Sequence, residues 1–319
     1  MANLTEEMDR YLTAQGYTTG STTEKLVKIL QTETSLSDNN QQNLWAKYLY
    51  NEGYTGPNLI NNMHKWLGDK GYTQATTNER LLAACVADSL FTWYPSALFR
   101  NGEYGDYWDA RDATKLYENT GDSSPNVVDG DPVGKWVGQR GVITLSQSVA
   151  GSKPVWKTTY VRGVGVKILS SDMTAQTATT PFTMYISGSV EAWTANGGRG
   201  AFLAYMSAGS AALHSCLRHV GVAGANNLAS AVKNTTYPVA GGQSMGTSQR
   251  NMSLRWSGSG NGTQRIGATD QTIPTSSATT VPANLFLNSE DTQRWYRILY
   301  INRQLTAAEI TKLETWGAT

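Results

Sequence analysis

At 319 residues the chain is longer than one hydrophobic core usually organises, so two domains are expected. Only 16% of the residues are charged and the formal net charge is +1, which leaves no basic field for a phosphate backbone and excludes nucleic acid as a partner. The abundance of Gly (31), Tyr (16) and Trp (10) suits short strands, tight turns and aromatic-lined surfaces.

The opening MANLTEEMDRYL has acidic residues where a signal peptide needs a positive start and an apolar run, and no stretch reaches membrane-spanning length. Synthesis in a cytoplasm without membrane insertion is the expectation. Residues 1–95 read as a helical module. YLTAQGYT, YLYNEGYT and WLGDKGYT share a Gly-Tyr-Thr ending, and Gly16, Gly53 and Gly71 suit the left-handed position that closes a helix, with Tyr17, Tyr54 and Tyr72 packing back on it. Ser21 with Glu24 and Thr76 with Glu79 fit capping boxes, and Pro57 suits a first helical turn. Five helices are predicted, at about 4–15, 22–33, 38–52, 57–70 and 76–90. The aromatic set Tyr11, Tyr17, Trp45, Tyr48, Tyr54, Trp66 and Tyr72 lies at helical spacing and reads as core rather than as a ligand box.

Near residues 95–100 the helical periodicity stops, and residues 96–319 read as an antiparallel β-sandwich. PFTMYISGSVEAW puts Phe182, Met184, Ile186, Val190 and Ala192 on one face, the pattern of a strand buried on one side. GAFLAYMSAG, NMSLRWSGSGNG and ANLFLNSE behave alike, each followed by a turn signal. GGRG (197–200) and GSGNG (258–262) lack a following Lys-Ser/Thr helix, so they read as hairpin turns rather than phosphate loops. A closing helix follows, with Thr306 and Glu309 as its capping box and Ile310, Leu313 and Trp316 as its apolar stripe. The fold class is therefore α+β: an all-α module, then an all-β sandwich, then a short C-terminal helix.

Two segments resemble a known family. NGEYGDYWDARDATKLYENTGDSSPNVVDGDPVGKW (101–136) resembles the opening of the concanavalin A-like (laminin-G-like) jelly-roll domains of tailed-bacteriophage virion proteins, and RWYRILYINRQLTAAEITKLETW (294–316) resembles their last strand and closing helix. The helix-Gly-Tyr-Thr modules also look like those preceding such domains. After GKWVGQRG the chain lacks the Asn-His-Ala type of stretch that often follows, so the first strands beyond Trp136 are expected to depart from the family's arrangement. The resemblance implies a virion component.

Catalysis at neutral pH usually needs a partnered base or nucleophile, and there are three histidines. His64 lies in a helical pattern. His214 and Cys216 share one strand face, next to His219, which permits a dyad or two metal ligands but falls short of a four-ligand zinc site. Cys85 and Cys216 sit in apolar or small-residue surroundings and read as free thiols. Asp106, Asp109 and Asp112, then Asp122, Asp129 and Asp131, are chemically suited to calcium or to paired-acid glycoside hydrolysis, yet their settings read as loop caps and turns. No catalytic residue, metal or cofactor is assigned.

Sugar recognition needs exposed aromatic faces near polar side chains. Trp193, Trp256, Trp295, Tyr205 and Tyr237 lie among Asn-rich loops, and Trp193, Trp256 and Tyr237 are the candidate glycan-binding residues. The expected function is a structural component of a phage particle, made in the host cytoplasm and located in the virion. It acts as a capsid decoration or appendage through contacts with other virion proteins. A closed homo-oligomer, first a trimer, is expected. The alternative is a tail-associated receptor- or glycan-binding protein that adsorbs to host surface polysaccharide.

Overall fold

The computed structural model describes residues 3–14, 17–34, 36–87, 89–91, 93, 95–99, 102–125, 127–165, 167–173, 177, 179–192, 202–207, 213–222, 225–232, 243–244, 248–267, 269–275, 284–289 and 292–318. The chain divides into two compact units, Met1–Asn101 and Gly102–Thr319.

The first unit carries α1 (Leu4–Ala14), α2 (Thr22–Thr34), α3 (Gln41–Asn51), α4 (Leu59–Asp69) and α5 (Thr77–Val86), then a 3-10 turn at Pro95–Phe99. The helix stops follow from backbone chemistry. Gly53 and Gly71 adopt φ of 84° and 94°, and the following tyrosine amide bonds back across the last turn, Tyr54 to Leu49 O at 2.7 Å and Tyr72 to Leu67 O at 3.1 Å. Tyr17 does the same to Leu12 O at 3.0 Å, while Gly16 lies outside the described residues. Ser21–Glu24 and Thr76–Glu79 form their reciprocal caps. Pro57 is not a first-turn residue: Asn58 is the N-cap, its side chain accepting from Asn61 N, and Pro57 precedes it. Each helix packs on the next and α5 packs back on α1, which closes a five-helix ring. The aromatic set fills its core. Trp45 lies 5.6 Å from Trp66 and 5.6 Å from Phe91, and Tyr48 lies 5.4 Å from Trp66.

The second unit contains β1 (Gly105–Asp109), β2 (Leu116–Tyr117), β3 (Lys135–Val137), β4 (Thr144–Ser146), β5 (Val155–Lys157), β6 (Tyr160–Gly163), β7 (Lys167–Asp172), β8 (Phe182–Ala192) and β9 (Phe202–Ser207). They are followed by β10 (Leu213–Val222), β11 (Ala225–Val232), β12 (Gln243–Ser244), β13 (Arg250–Trp256), β14 (Gly262–Ile266), β15 (Thr269–Ile273), β16 (Asn284–Ser289), β17 (Thr292–Ile301) and α6 (Ala307–Ala318). One sheet runs β15-β14-β13-β8-β17-β6-β5, with β1 also on β17, and the other runs β12-β11-β10-β9-β16-β7-β4-β3-β2. The pairing is antiparallel. Both sheets contribute to one apolar core, including Trp108, Phe182, Ile186, Trp256 and Trp295 from the first and Trp136, Leu169 and Leu287 from the second. This is the expected α+β architecture with a jelly-roll-like sandwich.

One strand departs from its predicted environment. Phe182, Met184, Ile186 and Val190 face the core as read from the sequence, but the opposite face of β8 is also buried, with Thr183, Tyr185 and Ser187 at 0% exposure. The cause is α6, which lies on that face and buries Ile310, Leu313 and Trp316 there. The polar residues of the outer face serve as its caps. The last carbonyls of a helix have no partner within it. Here Arg297 Nη1 donates to Trp316 O, and Ser187 Oγ and Gln249 Nε2 donate to Gly317 O at 3.1 and 2.9 Å, while Tyr185 Oη and Asn251 Nδ2 reach the preceding carbonyls Leu313 O and Glu314 O, both at 2.9 Å.

Candidate functional site

The six aspartates that suggested chemistry hold loops. Asp106, fully buried, accepts from the amides of Tyr107, Arg140, Val142 and Ile143 at 2.8–3.0 Å. Burial raises its pKa against the opposing pull of those four bonds. Asp112 caps the 3-10 turn at Ala113–Lys115 and accepts from Gln139 Nε2 at 2.8 Å. Asp122 accepts from Asn119 N, Asp131 from Val128 N, and Asp129 from Thr158 N. Among the described residues no group of three or more His, Cys, Asp or Glu is placed to hold a metal ion.

Asp109 differs, because it borders a cleft of about 190 Å³ lined also by Arg111, Thr159, Gln249, Tyr296, Arg297 and Gly317. The cleft follows from how β17 is shared. β6 pairs with Gln293–Trp295 and β1 with Arg297–Ile301, so two strands abut along one edge of β17. A register shift between Trp295 and Arg297 marks a bulge there. Trp295, Ile298 and Tyr300 all reach the core, which a regular strand could not arrange, and the bulge leaves Tyr296 and Arg297 side by side at the cleft. Arg111 binds Asp109 with Nε at 3.0 Å and Nη2 at 2.6 Å, and Arg297 Nε reaches the same carboxylate at 3.1 Å. Burial pushes the Asp109 pKa up, but the bonds from Arg111 and the charges of Arg297 and Arg111 reverse this and hold it below the usual carboxylate range. Tyr296 lies 5.4 Å from Tyr160, giving the cleft an aromatic wall. An aromatic face beside fixed donors and acceptors can receive a small polar ligand.

The glycan candidates fare differently. Trp256 is corrected: it is a core residue with 1% exposure, packed on Phe182, and its indole N–H donates to Gly260 O at 2.9 Å within its own hairpin turn. Trp193 and Tyr237 lie outside the described residues. Trp295 is also core. Tyr205, His214, Cys216 and His219 lie on described strands, β9 and β10, with their side chains outside the description. His64 lies on α4, with Nδ1 3.3 Å from Thr77 Oγ1. Sequence reasoning missed Tyr296, Arg297, Gln249, Thr159 and Arg111. The available signal was Tyr296-Arg297 between two core residues, two polar-tipped neighbours that alternation cannot both place outward.

No protein-family model matches the chain, and no curated protein matches it. Solved structures do. A Trypanosoma rangeli sialidase in complex with sialic acid matches with a TM-score of 0.46 and 10% identity over 67% of this chain and 32% of that one. The chain thus spans about a third of the length of the sialidases it matches. The binding domain of Paraclostridial Mosquitocidal Protein 1 matches with a TM-score of 0.41 and 10% identity, over 58% of this chain and 50% of that one. The exoplasmic/lumenal domain of VIP36 matches with a TM-score of 0.34 and 9% identity, over 48% and 83%.

Proposed function

We propose that this chain is a non-catalytic binding and assembly component of a bacteriophage particle, a decoration or appendage protein acting through protein-protein contacts. The observation that carries the non-catalytic part is the use of the acids: Asp106, Asp112, Asp122, Asp129 and Asp131 are bonded to backbone amides, and Asp109 is clamped between two arginines. Glycoside hydrolysis needs one carboxyl free to give a proton and another across the bond. These carboxyls are occupied as acceptors instead. The virion setting is supported by the resemblance of residues 101–136 and 294–316 to phage jelly-roll domains. Those two segments also meet: β1 and β17 pair from Gly105–Ile301 to Asp109–Arg297. In this reading the helical unit docks on other virion proteins and the sandwich carries the exposed surface.

Mass spectrometry of purified particles tests it. The chain is expected at a stoichiometry matching a symmetric position, and its absence from particles while it accumulates free in the lysate would overturn the reading. A second reading, glycan binding, is favoured by the Tyr296 wall of the cleft beside Asp109, Arg111, Thr159 and Gln249. Calorimetry with host polysaccharide fragments separates the two, since glycan binding at this cleft requires that Arg111→Ala weaken any measured affinity.

A further inference from the structure

Two clusters of the same make-up stand on the sheet that holds the cleft. In the first, Arg111 and Arg297 share the Asp109 carboxylate; in the second, Arg162 Nη2 binds Glu191 Oε2 at 3.0 Å and Arg294 Nε binds the other oxygen. Two arginines around one carboxylate leave a positive charge at each cluster. The carboxylates lie beneath, with side chains 15% and 18% exposed, while Arg111, Arg162 and Arg294 stand outward at 42%, 36% and 35%. The face shown to solvent here is therefore cationic, although the whole chain carries only +1.

Tyrosines join the two clusters. Tyr160 lies 5.4 Å from Tyr296 of the cleft wall, and the Arg294 guanidinium stands 4.7 Å over the Tyr160 ring. Strand alternation places them: Val161 and Trp295 reach the core, so Tyr160, Arg162, Arg294 and Tyr296 project from the other side of β6 and β17. A guanidinium already pinned by a carboxylate has little rotamer freedom left to lose, which lowers the entropic cost of receiving an anion.

The complement of outward arginines spaced by tyrosine rings is a polymer that alternates anions with flat, hydroxyl-bearing bodies. An extended acidic peptide suits it less, because β8, β17 and β6 are hydrogen-bonded neighbours inside the sheet and offer no open strand edge to peptide amides and carbonyls. Sugar hydroxyls need only side-chain donors and acceptors, such as Thr159 and Gln249 of the cleft. We infer that this face binds an acidic polysaccharide, with a sugar ring on Tyr160 and Tyr296 and carboxylates of the polymer at Arg111 on one side and at Arg162 and Arg294 on the other. This deepens the glycan-binding reading of the cleft and rests on it.

The test uses the full chain and hexasaccharides of polygalacturonate, alginate and hyaluronan, each native and with its carboxyls reduced to alcohols, titrated by calorimetry at low and at raised salt. A native acid is expected to bind about tenfold more tightly than its reduced form, as befits a charge-assisted hydrogen bond, and to weaken as salt is raised. Arg111→Gln and Arg162→Gln each leave their carboxylate one remaining arginine, and each should shrink the ratio of acid to reduced affinity. Tyr160→Leu should weaken both forms alike. A merely structural role for the arginines would leave the ratio unchanged, and that result in both variants overturns the site. Equal binding of native and reduced forms overturns the preference for acids and leaves the glycan reading standing, whereas no binding of any saccharide overturns both. Binding of an oligoglutamate peptide of equal charge as tightly as the best saccharide overturns the choice of polymer.

Discussion

Arg297 shows how one residue connects the cleft to the fold. It is 2% exposed, binds Asp109 through Nε, donates to Trp316 O and lies 5.1 Å from the Trp316 ring. Arg297→Met would leave Asp109 with Arg111 alone and a helix carbonyl without its donor. Removing one member of a buried pair costs about 3–5 kcal/mol, and the partial exposure of Asp109 favours the lower end. Urea denaturation followed by tryptophan fluorescence should show this loss; a midpoint within error of wild type would refute the capping role. Asp109 also sets a pH dependence. Its folded pKa lies below the ordinary carboxylate value of about 3.9, so the stability it contributes is complete above that value and is lost as pH falls through the folded pKa. Arg297 is pulled the other way by its own burial, but a guanidinium stays charged at these pH values, so the carboxylate is the titrating member. Asp109→Asn should therefore lose less stability than wild type between about pH 5 and pH 3. A fall in urea midpoint over this range that is as large in Asp109→Asn as in wild type would contradict the clamp.

Elements were legible where the signal was local. Gly53 and Gly71 announced helix ends because only a left-handed residue closes a turn in that way, and the capping boxes are fixed by neighbours three residues apart. At Gly71 nothing lies within 4 Å of where a Cβ would stand, so Gly71→Ala isolates the backbone term and should cost about 1 kcal/mol in thermal unfolding. At Gly317 a Cβ would run into the Tyr185 hydroxyl and the Asn251 side chain, so Gly317→Ala should cost more. A reversed order would contradict the packing of α6. The repeat was only partly visible, because α2 and α5 end without Gly-Tyr-Thr, α5 closing through Ser89 N to Ala84 O at 3.0 Å. Elements set by long-range contacts were not legible. The outer face of β8 reads as solvent-facing because Thr183 and Ser187 are polar, yet they are buried as donors and acceptors to the segment around α6. The β17 bulge left one local mark, Tyr296-Arg297 between the core residues Trp295 and Ile298, which reads as a bulge only once both flanking residues are known to be buried. Trp256 could be mistaken for a surface ring because the partner of its N–H, Gly260 O, is supplied by a turn whose closing alternation cannot foresee.

At the scale of the molecule, the division into a helical unit and a sandwich assigns them different work. A closed ring of five short helices has no long edge to offer, but the starts of its helices line a cavity; the sandwich has a cleft where two strands abut beside β17. Among the described residues neither unit presents a group of three or more His, Cys, Asp or Glu placed to hold a metal ion, and Asp109 is held between two arginines. Incubation with host polysaccharide should release no reducing ends, and Asp109→Asn should leave that result unchanged; release that vanished in the variant would make the chain an enzyme. The central claim is that this is an assembly component held by its helical unit. The most direct measurement is a cryo-EM map of the intact particle. The account predicts density for the chain at symmetry-related positions, as a closed oligomer, with the helical unit against the particle. Density showing the sandwich as the attached part, or no density for the chain at all, would contradict it.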